Sequence, residues 1–402
     1  MRRDRMSEQN QRQTQRAFIT PRALSEAASP FEWYAEMRAR GGIHYDEERG
    51  AWDLFSYELV HGVLSDYKRF SSQTSGDGEA VSLIGMDPPR HKQYRGLVSQ
   101  AFTQKSIDMQ VDRIEAIAAE LLDAVEDQGS MDIIRDFSYP LPVIVIAEML
   151  GVPAHDRELF KDWSDRLVAS ADPASGQTAE ELTMAKHQAA GELYRYFGQV
   201  IEERRRNPGS DLVSELLRAK IGDEHLDMPS LLSFCLLLLV AGNETTTNLI
   251  GNAAVTFLEN PESLARLYAE PELIPAALEE SLRFRSPIQS LSRRAIEDVE
   301  LGGKLIKANE EIVVWMGAAN RDESKFPQAD LFIPDRKPNQ HLAFGQGIHF
   351  CLGAPLARLE ARIAVTALLK RCRNLQLAEG VKLERTPGSF VFGYESIPVT
   401  FT

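Results

Sequence analysis

Cysteine is scarce in this sequence: three in 402 residues, Cys235, Cys351 and Cys372. An odd, sparse set excludes a disulfide framework and fits a reducing compartment, although one thiol can still carry chemistry. Basic charge is also short, 45 Lys and Arg against 59 Asp and Glu, a formal net of −14. Such a balance argues against a general affinity for nucleic acid or anionic membrane. No apolar run reaches the roughly 20 residues of a bilayer span; the longest, Leu231 to Ala241, is broken by Ser233. Residues 1–20, Arg- and Gln-rich from Met1 to Arg16, have no leader-like apolar stretch and read as a disordered extension. The expectation is a soluble, cytoplasmic protein.

What is present is enough apolar residue, 43% of the chain, to bury a large core. No fixed-period repeat or long Pro- or Gly/Ser-rich linker divides the sequence, so residues 21–402 are read as one domain. Apolar residues at three- and four-residue spacing predict helices over Ser106 to Asp127, Leu141 to Leu150, Ala179 to Arg206, Met228 to Leu258, Glu272 to Phe284 and Ala354 to Arg373. Strand-like pieces are short: Ala51 to Phe55, Leu291 to Ile296, Val299 to Ile306 around the turn Gly302-Gly303, and Gly388 to Phe401. The fold class is mainly α with small β-sheets. Pro and Gly punctuate Asp322 to Gly353 so heavily that it reads as a long irregular loop, of the kind that tends to be functional. Ser71 to Pro89 is a second irregular stretch, either a lid over a pocket or a plain surface loop.

The first loop ends in Phe344-Gly345-Gln346-Gly347-Ile348-His349-Phe350-Cys351-Leu352-Gly353. Its glycines permit close backbone approach around a single sulfur. Ala354-Pro355 then opens a helix-periodic segment, which puts Cys351 at a helix N-terminus. There the dipole and free N–H groups favour a thiolate. A structural cysteine would not need the glycines. Zinc takes about four N or S ligands, and His349 with Cys351 supplies two. A nucleophile would need a base that the local sequence does not identify. A thiolate ligand to haem needs one sulfur, backbone donors and a flat apolar approach, which this loop offers.

Two further patterns stand out. Ala241-Gly242-Asn243-Glu244-Thr245-Thr246 interrupts a hydrophobic helix with a small pair, an acid and hydroxyls, and places Leu237, Ala241, Thr245 and Asn248 on one face. Thr245 either bonds only to a carbonyl one turn earlier or does chemistry as well; a buried Glu244 must be paired or reach water. Asn243-Glu244-Thr245 also fits an N-glycosylation triplet, read as accidental inside an apolar helix. Glu280 and Arg283 share a helix face, as do Glu192/Arg195, Glu202/Arg205, Glu203/Arg206 and Glu215/Arg218. Only the first pair is followed by Pro287, strand-like segments and Phe332-Ile333-Pro334-Asp335-Arg336 ahead of the cysteine loop.

The decapeptide matches the Phe-Gly-x-Gly-x-His-x-Cys-x-Gly signature in full, and the chain from about Phe31 onward resembles bacterial cytochrome P450 enzymes, the soluble haem-thiolate monooxygenases. The resemblance implies a single P450 haem domain holding haem b (iron protoporphyrin IX) on the Cys351 thiolate, with His349 beside a propionate. It implies an acid–alcohol pair, Glu244 and Thr245, that delivers protons to bound dioxygen, and a buried polar network of Glu280, Arg283 and Arg336. His91 and Arg95 in Asp87 to Arg95 match the family's His-x-x-x-Arg element, and Arg293 matches another propionate arginine. Leu83, Ile84, Val240, Ala241, Ile288, Leu291 and Val391 fall in segments that line relatives' pockets. The implied reaction hydroxylates a small hydrophobic substrate, terpenoid, steroid or fatty-acid-like.

No cysteine set for an iron–sulfur cluster and no dinucleotide fingerprint occurs, since Phe350 takes the third glycine position after Gly345-x-Gly347. Electrons are therefore expected from a separate ferredoxin or flavodoxin with its reductase. Segment 341–373 holds five basic residues and one acid, and segment 90–105 four basic residues and no acid; together they carry +8 and leave −22 elsewhere. An acidic carrier is expected to dock there, on Lys92, Arg358 and Arg362. The competing readings are a peroxide-driven peroxygenase, a haem-based binding or sensor protein, and a haem-free helical interaction protein.

Overall fold

The computed structural model describes residues 21, 29–73, 82–168, 178–386, 388 and 390–402. The expected extension over residues 1–20 and the centre of the Ser71 to Pro89 stretch lie outside these. Among the described residues the helices are α1 (Pro30–Ala39), α2 (Tyr57–Ser65), α3 (Arg90–Ala101), α4 (Gln104–Asp108), α5 (Val111–Asp123), α6 (Pro140–Met149) and α7 (Arg157–Val168). They continue as α8 (Ala179–Arg206), α9 (Leu212–Arg218), α10 (Met228–Glu259), α11 (Pro261–Ala269), α12 (Ile274–Phe284), α13 (Met316–Ala319) and α14 (Ala354–Arg371).

Local chemistry explains the main boundaries. Thr178 and Glu181 form a reciprocal capping box at the start of α8, satisfying two N–H groups that a bare helix end leaves open. Asp227 accepts from the Ser230 N–H at the start of α10, where Pro229 occupies the first turn. By length and composition α10 is long and apolar enough to cross a membrane. It is instead surrounded by this chain's own helices, packing against α6, α7, α8, α11, α12 and α14.

Strands β1 (Ile43–Asp46), β2 (Ala51–Leu54), β3 (Phe70–Ser71), β4 (Ser130–Asp132), β5 (Ser290–Ala295), β6 (Val299–Leu301), β7 (Lys304–Ile306), β8 (Glu311–Trp315), β9 (Gln376–Leu377) and β10 (Pro398–Thr400) form three small sheets. The largest runs β1-β2-β8-β5-β3, the second β4-β10-β9, and β6 and β7 form a hairpin. Gly302 and Gly303 turn that hairpin with φ of +57° and +72°, as its two-residue turn requires.

The expected strand over Gly388 to Phe401 shrinks to β10. Upstream of it, the Phe392 N–H donates to the Pro287 carbonyl and the Gln289 N–H to the Phe390 carbonyl, while Asn252 of α10 donates to the Arg285 and Phe392 carbonyls. These bonds tether an irregular segment to α10 in place of a ladder. The helix expected over Ser106 to Asp127 is split into α4 and α5, with the turn Glu126–Gln128 beyond. Asp322 to Gly353 is irregular apart from one short turn at Gly347–His349.

Candidate functional site

The cysteine loop folds back on itself before α14 begins. The Cys351 N–H donates to the Phe344 carbonyl at 2.9 Å. Gly345 and Gly347 sit at φ of +73° and +72°, and a Cβ on Gly347 would come within 2.7 Å of the Leu64 carbonyl, so glycine is required there. Cys351 is exposed while Cys235 and Cys372 are buried. Its sulfur is nevertheless recessed: burial pushes the thiol pKa up, and the N–H groups of Gly353 and Ala354 with the guanidiniums of Arg95 and Arg358 draw it down. The donors expected of a helix N-terminus are therefore in place around a single sulfur.

Behind the loop, Glu280 and Arg283 are both fully buried and pair at 2.8 Å. Arg336 bonds the same carboxylate at 2.9 Å, the Ile333 N–H at 3.0 Å and Asn339 at 3.2 Å. The remaining N–H groups of Arg283 reach the carbonyls of Asn320, Ala329 and Leu331. The same spacing at Glu202/Arg205 and Glu215/Arg218 gives exposed pairs.

In front of the loop some buried polar atoms lack partners among the described residues. His91, Arg293 and His349 come together from α3, β5 and the cysteine loop. The two imidazole rings lie 4.2 Å apart, and the Nε2 atoms of His91 and His349 are buried without a hydrogen bond. Burial, then His91, Arg293 and Arg95, pulls the His349 pKa down to about 3 against a backbone hydrogen bond to Met86, and burial brings Arg293 down to about 10 against the charge of Asp87. Arg293 donates to its neighbour's carbonyl, Ser292 O, at 2.8 Å. Arg95 donates to the Phe350 carbonyl at 2.7 Å, which ties α3 to the cysteine loop. Buried imidazole nitrogens without a partner beside a buried guanidinium suit an anion. The two carboxylates of a haem beside the recessed sulfur meet that demand, so the residues present fit the group.

Across the cavity, α10 presents the small pair. Ala241 is exposed, and a Cβ on Gly242 would meet nothing within 4 Å, which leaves open space beside the helix. The Thr245 hydroxyl donates to the Ala241 carbonyl at 2.7 Å, leaving its oxygen free to accept. Glu244 is half-buried; burial raises its carboxyl and Lys186 of α8 opposes the shift. Leu237 and Val240 are half-buried, but Asn248, expected on the open face, is buried against Gly393.

The apolar candidates separate. Leu83 is buried in the main core and Ile84 is exposed. Ile288 and Val391 are half-buried and joined by a backbone bridge, and Leu291 is half-buried on β5. Of the basic residues singled out for docking, Lys92 and Arg362 are exposed. Arg358 is held by both Glu279 oxygens at 2.7 and 2.8 Å and lies 4.5 Å over the Phe344 ring, so its charge is neutralised locally.

Two features escaped the sequence reading. Glu279 also takes the Nε2 of His341 at 3.1 Å, closing a cluster whose members are 62 and 79 residues apart. Glu360 on α14 is fully buried and bonds Thr246, and burial lifts its carboxyl to about 8. The available signal was an acid in the apolar stripe Leu356, Ile363 and Ala364.

The family description Cytochrome P450 matches residues 44–401. The cytochrome P450 YjiB of Bacillus subtilis (strain 168) is 43% identical over 395 residues, 97% of this chain and 98% of that protein. The solved structure of CYP109E1 from Bacillus megaterium in complex with testosterone is similar with a TM-score of 0.87 at 44% identity, covering 93% of this chain and 99% of that one. Its corticosterone complex gives 0.88 at 46% identity, covering 92% and 98%.

Proposed function

The chain belongs to the cytochrome P450 family of haem-thiolate monooxygenases, and we propose that it hydroxylates a steroid-sized hydrophobic substrate with electrons from a separate carrier. The observation that carries this reading is the single Cys351 sulfur at the N-terminus of α14, on the same loop as His349, which clusters with His91 and Arg293; the two imidazoles keep buried Nε2 atoms without a hydrogen bond. The overall change balances as RH + O2 + 2 electrons + 2 protons giving ROH + water. When bound, the haem supplies dioxygen activation, which thiolate donation favours.

The chain's own residues do the rest. Cys351 would hold the iron through a thiolate favoured by the Gly353 and Ala354 N–H groups and by Arg95 and Arg358. His91, Arg293 and His349 would bind the propionates, with Arg95 bracing α3 against the loop. The Thr245 oxygen, its own proton committed to Ala241, accepts a hydrogen bond from incoming water or acid. Glu244, whose carboxyl burial raises above its ordinary range, is the proton source, since a raised carboxyl holds its proton more readily for delivery. The groove at Ala241 and Gly242 leaves room for the small reactant.

The steroid assignment rests on the 44% and 46% identity to CYP109E1 and on the apolar character of Val240, Ile288, Leu291 and Val391 around the cavity. The redox partner is read as an acidic ferredoxin or flavodoxin that meets exposed Lys92 and Arg362. The protein is placed in the cytoplasm, as one haem domain over residues 21–402.

The test is turnover of haem-loaded enzyme with a ferredoxin, its reductase, NADH and testosterone under isotopically labelled dioxygen. One labelled oxygen in a hydroxylated steroid supports the reading; oxidation that proceeds only with added peroxide contradicts it. In Thr245→Ala, NADH consumption should persist while product per NADH falls about tenfold or more.

A further inference from the structure

Asn243 precedes the acid–alcohol pair and is fully buried, although asparagine is a poor choice for packing alone. Its Nδ2 donates to the Ser164 hydroxyl of α7 at 2.7 Å, across 79 residues of sequence. Its Oδ1 lies 3.3 Å from the Thr247 hydroxyl, which also reaches the Ser138 carbonyl at 3.2 Å. Ser164, Thr247 and Ser138 are all buried. Ser138 closes the wide helical turn Ile133–Ser138, so one chain of polar contacts links three elements.

Such a chain has directional consequences that apolar packing lacks. Consecutive helix residues project about 100° apart. With Asn243 fixed on α7, Glu244 is aimed toward Lys186 of α8 and Thr245 toward the groove beside Ala241 and Gly242. Apolar side chains at 243 and 164 would tolerate a small rotation or slide of one helix on the other, whereas buried polar partners are satisfied at one register only. The α7 and α8 helices are themselves fastened together. Trp163 and Arg166 both bond Glu192, and Tyr196 bonds Asp156 at 2.8 Å. The α7–α8 pair thus meets α10 at two consecutive residues, 243 through Ser164 and 244 through the charge on Lys186.

We infer that Asn243 is a positioning residue, which through Ser164 fixes the rotation of α10 against α7 and so aims the Glu244 and Thr245 side chains. The inference rests on the monooxygenase reading, and its test separates the two. Haem-loaded wild type, Asn243→Leu, Ser164→Ala and the double variant are compared by hydrogen–deuterium exchange and by hydrogen peroxide released per NADH consumed, with a ferredoxin, its reductase and testosterone as the probe. In both single variants the α7 amides should exchange at least threefold faster while those of residues 344–353 stay unchanged. Peroxide per NADH should rise at least threefold, and the double variant should be no worse than either single one, because both remove the same link. Faster α7 exchange with wild-type peroxide yield would overturn the inference and leave Asn243 a packing residue, as would wild-type behaviour in both readouts. Should Asn243→Leu fail to fold, Ser164→Ala removes the same bond with less change of shape. If the wild type consumes no NADH and shows no thiolate-type ferrous carbonyl spectrum, the monooxygenase reading fails, and the exchange arm alone decides whether Asn243 holds α7.

Discussion

On the sulfur side of the cavity the strong polar groups already have partners: Glu280 takes Arg283, Arg336, Asn339 and the Ile333 N–H, and Glu279 takes Arg358 and His341. On the propionate side, where His349 belongs to the cysteine loop itself, His91 and His349 keep buried Nε2 atoms without a hydrogen bond, and Arg293 is buried without an ion pair among the described residues. One half is complete as folded protein. The other half is completed by a ligand. Rigid presentation of the sulfur and a demand for anions beside it are the two requirements for seating a haem in one orientation.

The comparison is broken most severely at the sulfur itself. Cys351→Ala should abolish thiolate ligation completely, read as loss of the thiolate signature in the low-spin ferric resonance spectrum, while the helical far-ultraviolet spectrum is retained. Next comes Arg283→Ala, which strips two bonds from the buried Glu280 carboxyl and leaves Arg336 as its remaining cation; that should cost about 3 kcal/mol, measured by denaturant unfolding of the haem-loaded protein. On the open side, Arg293→Ala should leave the protein fold intact and weaken haem retention by about ten- to a hundredfold, as expected for a hydrogen bond to a charged group worth about 1.5–3 kcal/mol. Transfer of haem to a scavenging protein measures it. An equal loss of fold stability in Arg293→Ala would erase the distinction between the two sides.

The smallest effect concerns Glu360, which is buried and bonds Thr246. Its carboxyl rises from an ordinary 4.5 to about 8 in the folded protein. A raised pKa means that its favourable contribution is fully present below pH 4.5 and is lost as pH climbs toward and through about 8. Glu360→Gln removes that dependence. The variant's melting temperature should therefore gain on the wild type steadily between pH 5 and pH 8 and stop gaining above about pH 9. A constant difference across that range would show that Glu360 does not titrate there.

Much of this arrangement was legible in the sequence, for identifiable reasons. The bounds of α8, Ala179–Arg206, follow from an amphipathic stripe behind a capping box, both local signals. The cysteine loop was legible because glycine, sulfur and a helix start are adjacent in sequence. Strand β8 was not, because Glu311 to Trp315 is buried on both faces and shows no alternation for a period-two pattern to detect. The Glu279–His341–Arg358 cluster and the Ser164–Asn243 bond were illegible because their members meet only after folding. Arg358 read as a free docking charge for the same reason, since its neutralising acid lies 79 residues away.

The central claim is that Cys351 ligates iron as a thiolate, and the absorption spectrum of the reduced, haem-loaded wild type under carbon monoxide tests it most directly. A thiolate-type Soret band is the result this account requires. An imidazole-type band, or a protein that takes up no haem when supplied with it, would contradict it.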